Sequence, residues 1–178
     1  TREKTLEIVS RIRRQAGIEA MAHITCVGAT RDEIGGVIGR LTDAGVTNIL
    51  ALRGDPPKGE TKFNPVENGF VYANELVSFI RERHGEGVSV GAAAYPETHV
   101  ECADAAADLA NLRRKVDAGV DFLITQLFFD NQRYWDFCRR ARAAGIGVPI
   151  IPGIMPFPSA SQAQRFGASL HDGLSREI

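Results

Sequence analysis

The residues of this sequence that could do chemistry fall inside or just after short apolar runs. His23 and Thr25 lie within one run, and Arg53-Gly54-Asp55 follows another. Tyr95-Pro96-Glu97-Thr98-His99 closes a third, and Thr125-Gln126 with Asp130 falls in a fourth. Imidazoles such as His23 and His99, with Asp55 or Glu97, can ligate a metal, but no pair has tight ligand spacing, so no metal is expected. Arg53-Gly54-Asp55 also spells an adhesion tripeptide, a sequence common by chance. Its plainer reading is a strand-end turn in which Asp55 caps the loop before Pro56-Pro57. Gln126 is different, because it interrupts an otherwise apolar run and a buried amide needs hydrogen-bonding partners. A ligand contact is favoured there.

The elements that must position these residues alternate in type. Near-continuous apolar runs at residues 22–27, 48–52, 88–95, 122–129 and 148–155 read as strands of a parallel sheet covered on both faces. Between them are amphipathic helices. Thr30 and Glu33 form a capping-box signature ahead of Ile34, Val37, Ile38 and Leu41, and Gly45 supplies a stop. Further helices carry Leu76, Phe79 and Ile80 up to Gly85, residues 103–118 up to Gly119, and Tyr134, Trp135 and Cys138 up to Gly145. Another starts at Ser159, with Gln162 in the capping-box position. About five strand–helix units imply an α/β fold with right-handed parallel crossovers. No G-x-G-x-x-G or P-loop fingerprint is present, which favours a (β/α)8 TIM barrel over an open doubly wound sheet. A whole barrel takes roughly 250 residues, so residues 1–178 are expected to form a single partial barrel domain, the central portion only. Barrel sites lie at the C-terminal strand ends, where the polar residues above fall.

Composition narrows the class. The 178 residues are 44% apolar and 24% charged with net charge −1, an ordinary globular make-up with no footprint for nucleic acid. Gly and Pro interrupt every apolar run, so no membrane span is expected, and no signal peptide is seen. The 3 cysteines, Cys26, Cys102 and Cys138, are scattered, which fits a reducing cytoplasm. The sequence opens on Thr1 inside a helical pattern (Leu6, Val9, Ile12), as a piece of a longer chain would.

Several motifs then carry a specific resemblance. Leu50-Ala51-Leu52-Arg53-Gly54-Asp55 resembles the LRGD strand end of methylenetetrahydrofolate reductases. Residues 93–99 are similar to that family's AAYPE-x-H segment, and residues 108–119 to its DL-x-NLK-x-K-x-DAG helix. Ile124-Thr125-Gln126-Leu127-Phe128-Phe129-Asp130 is similar to its ITQ-x-FFD strand, and residues 151–156 to its IPGI-x-P segment. Any one of these is weak, whereas the ordered set is strong.

The resemblance implies an FAD-dependent barrel enzyme of one-carbon metabolism. It would reduce 5,10-methylenetetrahydrofolate to 5-methyltetrahydrofolate in ping-pong fashion, with NADH or NADPH as co-substrate. It also implies self-association into a homo-oligomer. Carried over residue by residue, the FAD site would include His23, Arg53, Gly54, Asp55, Tyr72 and Ala73. Tyr95, His99, Asp108, Asn111, Arg114 and Lys115 would complete it. FAD needs cations for its pyrophosphate and apolar walls for its rings, and Arg53, Arg114 and Lys115 could supply charge. On their helix, Asp108, Asn111 and Lys115 share one stripe beside the apolar Leu109, Leu112 and Val116. Asp55 would be catalytic, its charge stabilising a cationic iminium form of the folate. Gln126, Gln162 and Phe166 would contact substrate. On residue type alone, however, Gln162 is by default a cap, and Phe166, with Ala163 and Leu170, fits a core stripe.

The sequence also departs from the family pattern. The family's opening strand, whose terminal Glu is the general acid, and its Thr-bearing second strand do not precede Thr1. Its last strand and helix do not follow Ile178. Residues 1–178 alone are therefore expected to fold poorly, with exposed sheet edges. Leu127 replaces a frequent Phe, and Val100 a frequent Pro. The alternatives are another flavin barrel oxidoreductase, such as a proline dehydrogenase relative, or a catalytically dead flavin- or folate-binding module.

Overall fold

The computed structural model describes residues 2–56, 63–99, 101–102, 104–156, 158–159, 161–162 and 164. Along the chain run α1 (Arg2–Ala16), β1 (Met21–Thr25), α2 (Arg31–Asp43), β2 (Asn48–Leu52) and α3 (Ala73–His84). These are followed by β3 (Ser89–Ala94), α4 (Ala105–Asp117), β4 (Phe122–Thr125), α5 (Asn131–Ala143) and β5 (Ile150–Ile151). All four strand pairings are parallel, and the order in the 5-stranded sheet is β1-β2-β3-β4-β5. A doubly wound sheet reverses its strand order at a switch point. This one advances in one direction throughout, as the wall of a (β/α) barrel does.

Local sequence explains the helices. The Thr30 hydroxyl accepts the Glu33 N–H at 3.3 Å, while the Glu33 carboxylate accepts the Thr30 N–H at 2.8 Å. That reciprocal box satisfies donors that would otherwise be orphaned at the start of α2. Asp104 caps α4 by accepting from Ala106 and Ala107, and Asp130 caps α5 by accepting from Gln132 at 2.8 Å. Gly45 follows α2 at φ +77°, in the left-handed region that glycine enters without steric cost.

The two faces of the sheet are used differently. Ile24, Ala51, Ala92 and Leu123 stand in one register row, none more than 1% exposed. They share a core with Ile34, Ile38 and Leu41 of α2 and Leu76, Val77 and Ile80 of α3. Each such aliphatic side chain contributes about 1.5–3 kcal/mol on burial. The other face carries the row His23, Leu50, Gly91, Phe122. A Cβ on Gly91 would stand 2.5 Å from the Phe122 ring and 3.1 Å from a Leu50 methyl. The glycine is what lets that ring lie across β3.

β4 and β5 end furthest ahead of their apolar runs. β4 stops at Thr125, although the run continues to Phe129. The segment after β5 crosses its end: Gly153 donates its N–H to the Thr125 hydroxyl at 2.9 Å, and a Cβ on Gly153 would fall 2.0 Å from the Thr125 carbonyl oxygen. β5 itself is confined to Ile150–Ile151 because Pro149 and Pro152 flank it and lack the N–H a ladder needs.

Candidate functional site at the C-terminal ends of β2 and β3

β2 delivers Arg53 to the sheet's C-terminal end, and β1 buttresses it there. The Cys26 N–H donates to the carbonyls of Leu52 and Arg53, each at 3.1 Å, and the Cys26 thiol donates to Leu52 at 3.4 Å. Burial pushes that thiol up to about 12, so Cys26 is an inert packing residue here. Gly54 follows at φ +86°, and a Cβ there would stand 2.8 Å from Val27 and 3.0 Å from Thr25. Only glycine allows this approach to β1, which turns the chain and leaves Asp55 exposed.

The β3 end and α4 supply the facing wall. The Tyr95 and His99 rings meet edge to face, with centroids 4.6 Å apart. The His99 N–H donates to the Asp108 carboxylate at 3.1 Å, and the His99 Nδ1 accepts the Glu101 N–H at 3.1 Å. Accepting at Nδ1 fixes the neutral tautomer with its proton on Nε2. Burial, then the charge of Arg53, holds His99 below the ordinary histidine range. Lys115 reaches from α4 to the Ala93 carbonyl at 2.9 Å, and burial likewise lowers its ammonium, with Asp108 opposing that shift. Burial and the charge of Asp55 raise the Tyr95 phenol.

Arg53, Asp55, Tyr95, His99, Asp108 and Lys115 therefore form one interacting cluster. The α4 stripe is divided, since Asp108 and Lys115 turn inward whereas Asn111 is exposed and bonds Arg114. The apolar stripe beside it is as expected, with Leu112 buried and Leu109 and Val116 packed on the core. His23 stands exposed on the open sheet face. Tyr72 is the exposed N-cap residue of α3, and Ala73 is its buried first residue.

The expectation of a buried Gln126 needs correction. It lies one residue past β4 and is exposed; its Oε1 accepts the Leu127 N–H at 3.1 Å, and its own N–H donates to Ala94 at 2.7 Å. Its backbone still extends the ladder to β3, and strand alternation from Phe122 puts its side chain on the open sheet face. Gln162 donates its backbone N–H to the Ser159 carbonyl at 3.1 Å and hydroxyl at 3.3 Å, which is the capping geometry. Phe166 lies outside the described residues. Among the described residues, no group of three or more His, Cys, Asp or Glu side chains could hold a metal ion.

Glu101 was missed by sequence reasoning. Its carboxylate grips the Arg53 guanidinium in a two-toothed pair at 2.5 and 2.6 Å, although nothing in the run His99-Val100-Glu101 marks it. Two arginines of α5 also pin the loop before it: Arg140 donates to the Pro96 carbonyl at 3.1 Å, and Arg133 pairs with Glu97 at 3.3 Å.

A one-directional parallel α/β wall with a cationic and aromatic cluster at its C-terminal strand ends defines a protein of the (β/α)-barrel class. More particularly, the chain belongs to the methylenetetrahydrofolate reductase family, whose model matches residues 1–172. It is 44% identical over 165 residues to the 5,10-methylenetetrahydrofolate reductase of Escherichia coli, covering 93% of this chain and 53% of that protein. It is 42% identical over 152 residues to methylenetetrahydrofolate reductase 2 of Saccharomyces cerevisiae, covering 84% of this chain and 25% of that one. The chain thus spans about half the length of the bacterial relatives it matches and less of the eukaryotic one. Among solved structures it is similar to phosphonopyruvate hydrolase in complex with oxalate and Mg2+, with TM-score 0.62 and 14% identity over 96% of this chain and 64% of that one. A second neighbour is 2,3-dimethylmalate lyase, with TM-score 0.59 and 15% identity over 100% of this chain and 69% of that one. At such identities the likeness is one of fold alone.

Proposed function

We propose that this chain forms the flavin-holding wall of an enzyme that reduces 5,10-methylenetetrahydrofolate to 5-methyltetrahydrofolate, with NADH or NADPH as the electron source. The observation that carries the reading is the position of Lys115. A desolvated ammonium with three donors is directed at the end of β3, with Arg53 close enough to depress it electrostatically. A desolvated cation gains from anionic partners beyond the nearby Asp108, and a flavin pyrophosphate would be one.

FAD, when bound, supplies a two-electron relay between the nicotinamide nucleotide and the folate. This chain's residues would hold and orient the reactants. Arg53 and Lys115 would meet the phosphates. Tyr95 and His99 would present an aromatic wall, with His99 neutral and its Nε2–H free to donate. Asp108 holds the His99 backbone and so sets the position of that ring. Asp55, exposed at the strand end, would face the folate and stabilise its cationic iminium form. Gln126, also exposed beside the site, is available to hydrogen-bond a pterin edge in a way a sheet-buried amide would not be.

The direct test is flavin stoichiometry. The purified full-length protein is expected to carry FAD, released on denaturation, and Arg53→Gln with Lys115→Met to abolish it. Full flavin occupancy in that double variant would assign the phosphates to other residues.

A further inference from the structure

We propose that Glu101 is an internal counterion that competes with ligand phosphates for Arg53, and thereby sets the affinity of this site for phosphate-bearing ligands. The inference rests on the flavin reading above and adds to it a residue that opposes binding.

The geometry gives the two partners unequal exposure. The Arg53 side chain is 21% exposed, against 49% for Glu101. Arg53 stands at a strand end whose carbonyl is fixed by the Cys26 N–H, and its guanidinium lies 5.4 Å from the centroid of the Phe63 ring. Glu101 sits in the loop before α4, where its own N–H is held by His99. Arg53 is therefore the more buried partner and Glu101 the one open to exchange with solvent or ligand.

The two Glu101 oxygens take one N–H from each terminal nitrogen of the guanidinium, at 2.5 and 2.6 Å. A phosphate presents the same paired-oxygen edge, so both groups seek the same two donors. With Glu101 seated, the carboxylates of Asp55, Asp108 and Glu101 also offset the cations of Arg53 and Lys115, which is a poor field for a pyrophosphate. Releasing Glu101 frees the donors and removes one negative charge. A residue that merely held Arg53 in place would have the opposite effect, because its loss would weaken binding.

The test compares FAD and riboflavin, which lacks the pyrophosphate, as probes of the full-length protein. Titrations would follow flavin fluorescence in wild type, Glu101→Gln, Arg53→Gln and the double variant. Glu101→Gln is expected to bind FAD about two- to fivefold tighter, the range an exposed ion pair can supply, with riboflavin unchanged. In the Arg53→Gln background the same substitution is expected to do nothing. Unchanged or weaker FAD binding by Glu101→Gln, or equal tightening of riboflavin, overturns the proposal while leaving the flavin reading in place. Absence of FAD binding in every variant overturns the flavin reading and this proposal together.

Discussion

The ammonium of Lys115, near the end of α4, lies 2.9 Å from the carbonyl oxygen of Ala93, near the end of β3. One helix cation thus reaches over the edge of the sheet into the place where a barrel binds its ligands. The cost of desolvating it is carried by the folded chain whether or not a ligand is present. Lys115→Met is therefore expected to leave the ligand-free thermal midpoint unchanged or raise it, while weakening FAD binding at least about tenfold. Thermal unfolding with and without FAD checks both halves. A lower ligand-free midpoint would make Lys115 a structural residue.

His99 gives a pH dependence of definite sign. Burial and the neighbouring Arg53 hold it below its ordinary value of 6.5, so the folded chain binds fewer protons than the unfolded chain as the solution acidifies. Its contribution to stability is complete above the unfolded value and is lost as pH falls through 6.5 toward the folded one. Wild type is thus expected to lose thermal midpoint between about pH 7 and pH 5 more steeply than His99→Asn. Parallel profiles would show that His99 is not desolvated.

Gly91 and Phe122 test the packing of the open sheet face. A methyl on Gly91 would meet the ring at 2.5 Å, so Gly91→Ala is expected to destabilise the fold by about 1–3 kcal/mol. Adding Phe122→Leu should recover part of that loss, because the obstructing ring is gone. Denaturant unfolding of the single and double variants measures the coupling, and simple additivity would mean the ring moves aside freely.

Much of this architecture was legible in residue order. The Thr30–Glu33 box, the helix-ending glycines and the apolar runs mark where elements begin and end, because those signals act locally. The early end of β4 was not legible. It depends on Gly153 passing over Thr125, a contact between residues far apart in sequence. Gln126 was misplaced for another reason: the run reads as covered on both faces, whereas its side chain falls on the open face with His23 and Phe122. Glu101 escaped notice because its partner Arg53 lies 48 positions away and no spacing rule connects them. Asp130, read among the site's polar residues, is the cap of α5.

Substitutions at Asp55 and Gln126 are expected to separate the two proposed half-reactions. Asp55→Asn is expected to slow folate-driven reoxidation of reduced flavin at least about tenfold, with reduction by NADH changed less than about twofold. Gln126→Leu should weaken folate binding and spare FAD. Rapid-mixing absorbance on each half-reaction decides. Equal slowing of both by Asp55→Asn would assign that residue to flavin tuning.

The most direct measurement is the visible spectrum of the purified full-length protein, taken without oxygen as NADH and then methylenetetrahydrofolate are added. A yellow protein that bleaches with the nucleotide and regains its colour with the folate is the predicted result. A flavin that bleaches and stays bleached on addition of the folate would contradict the proposed reduction.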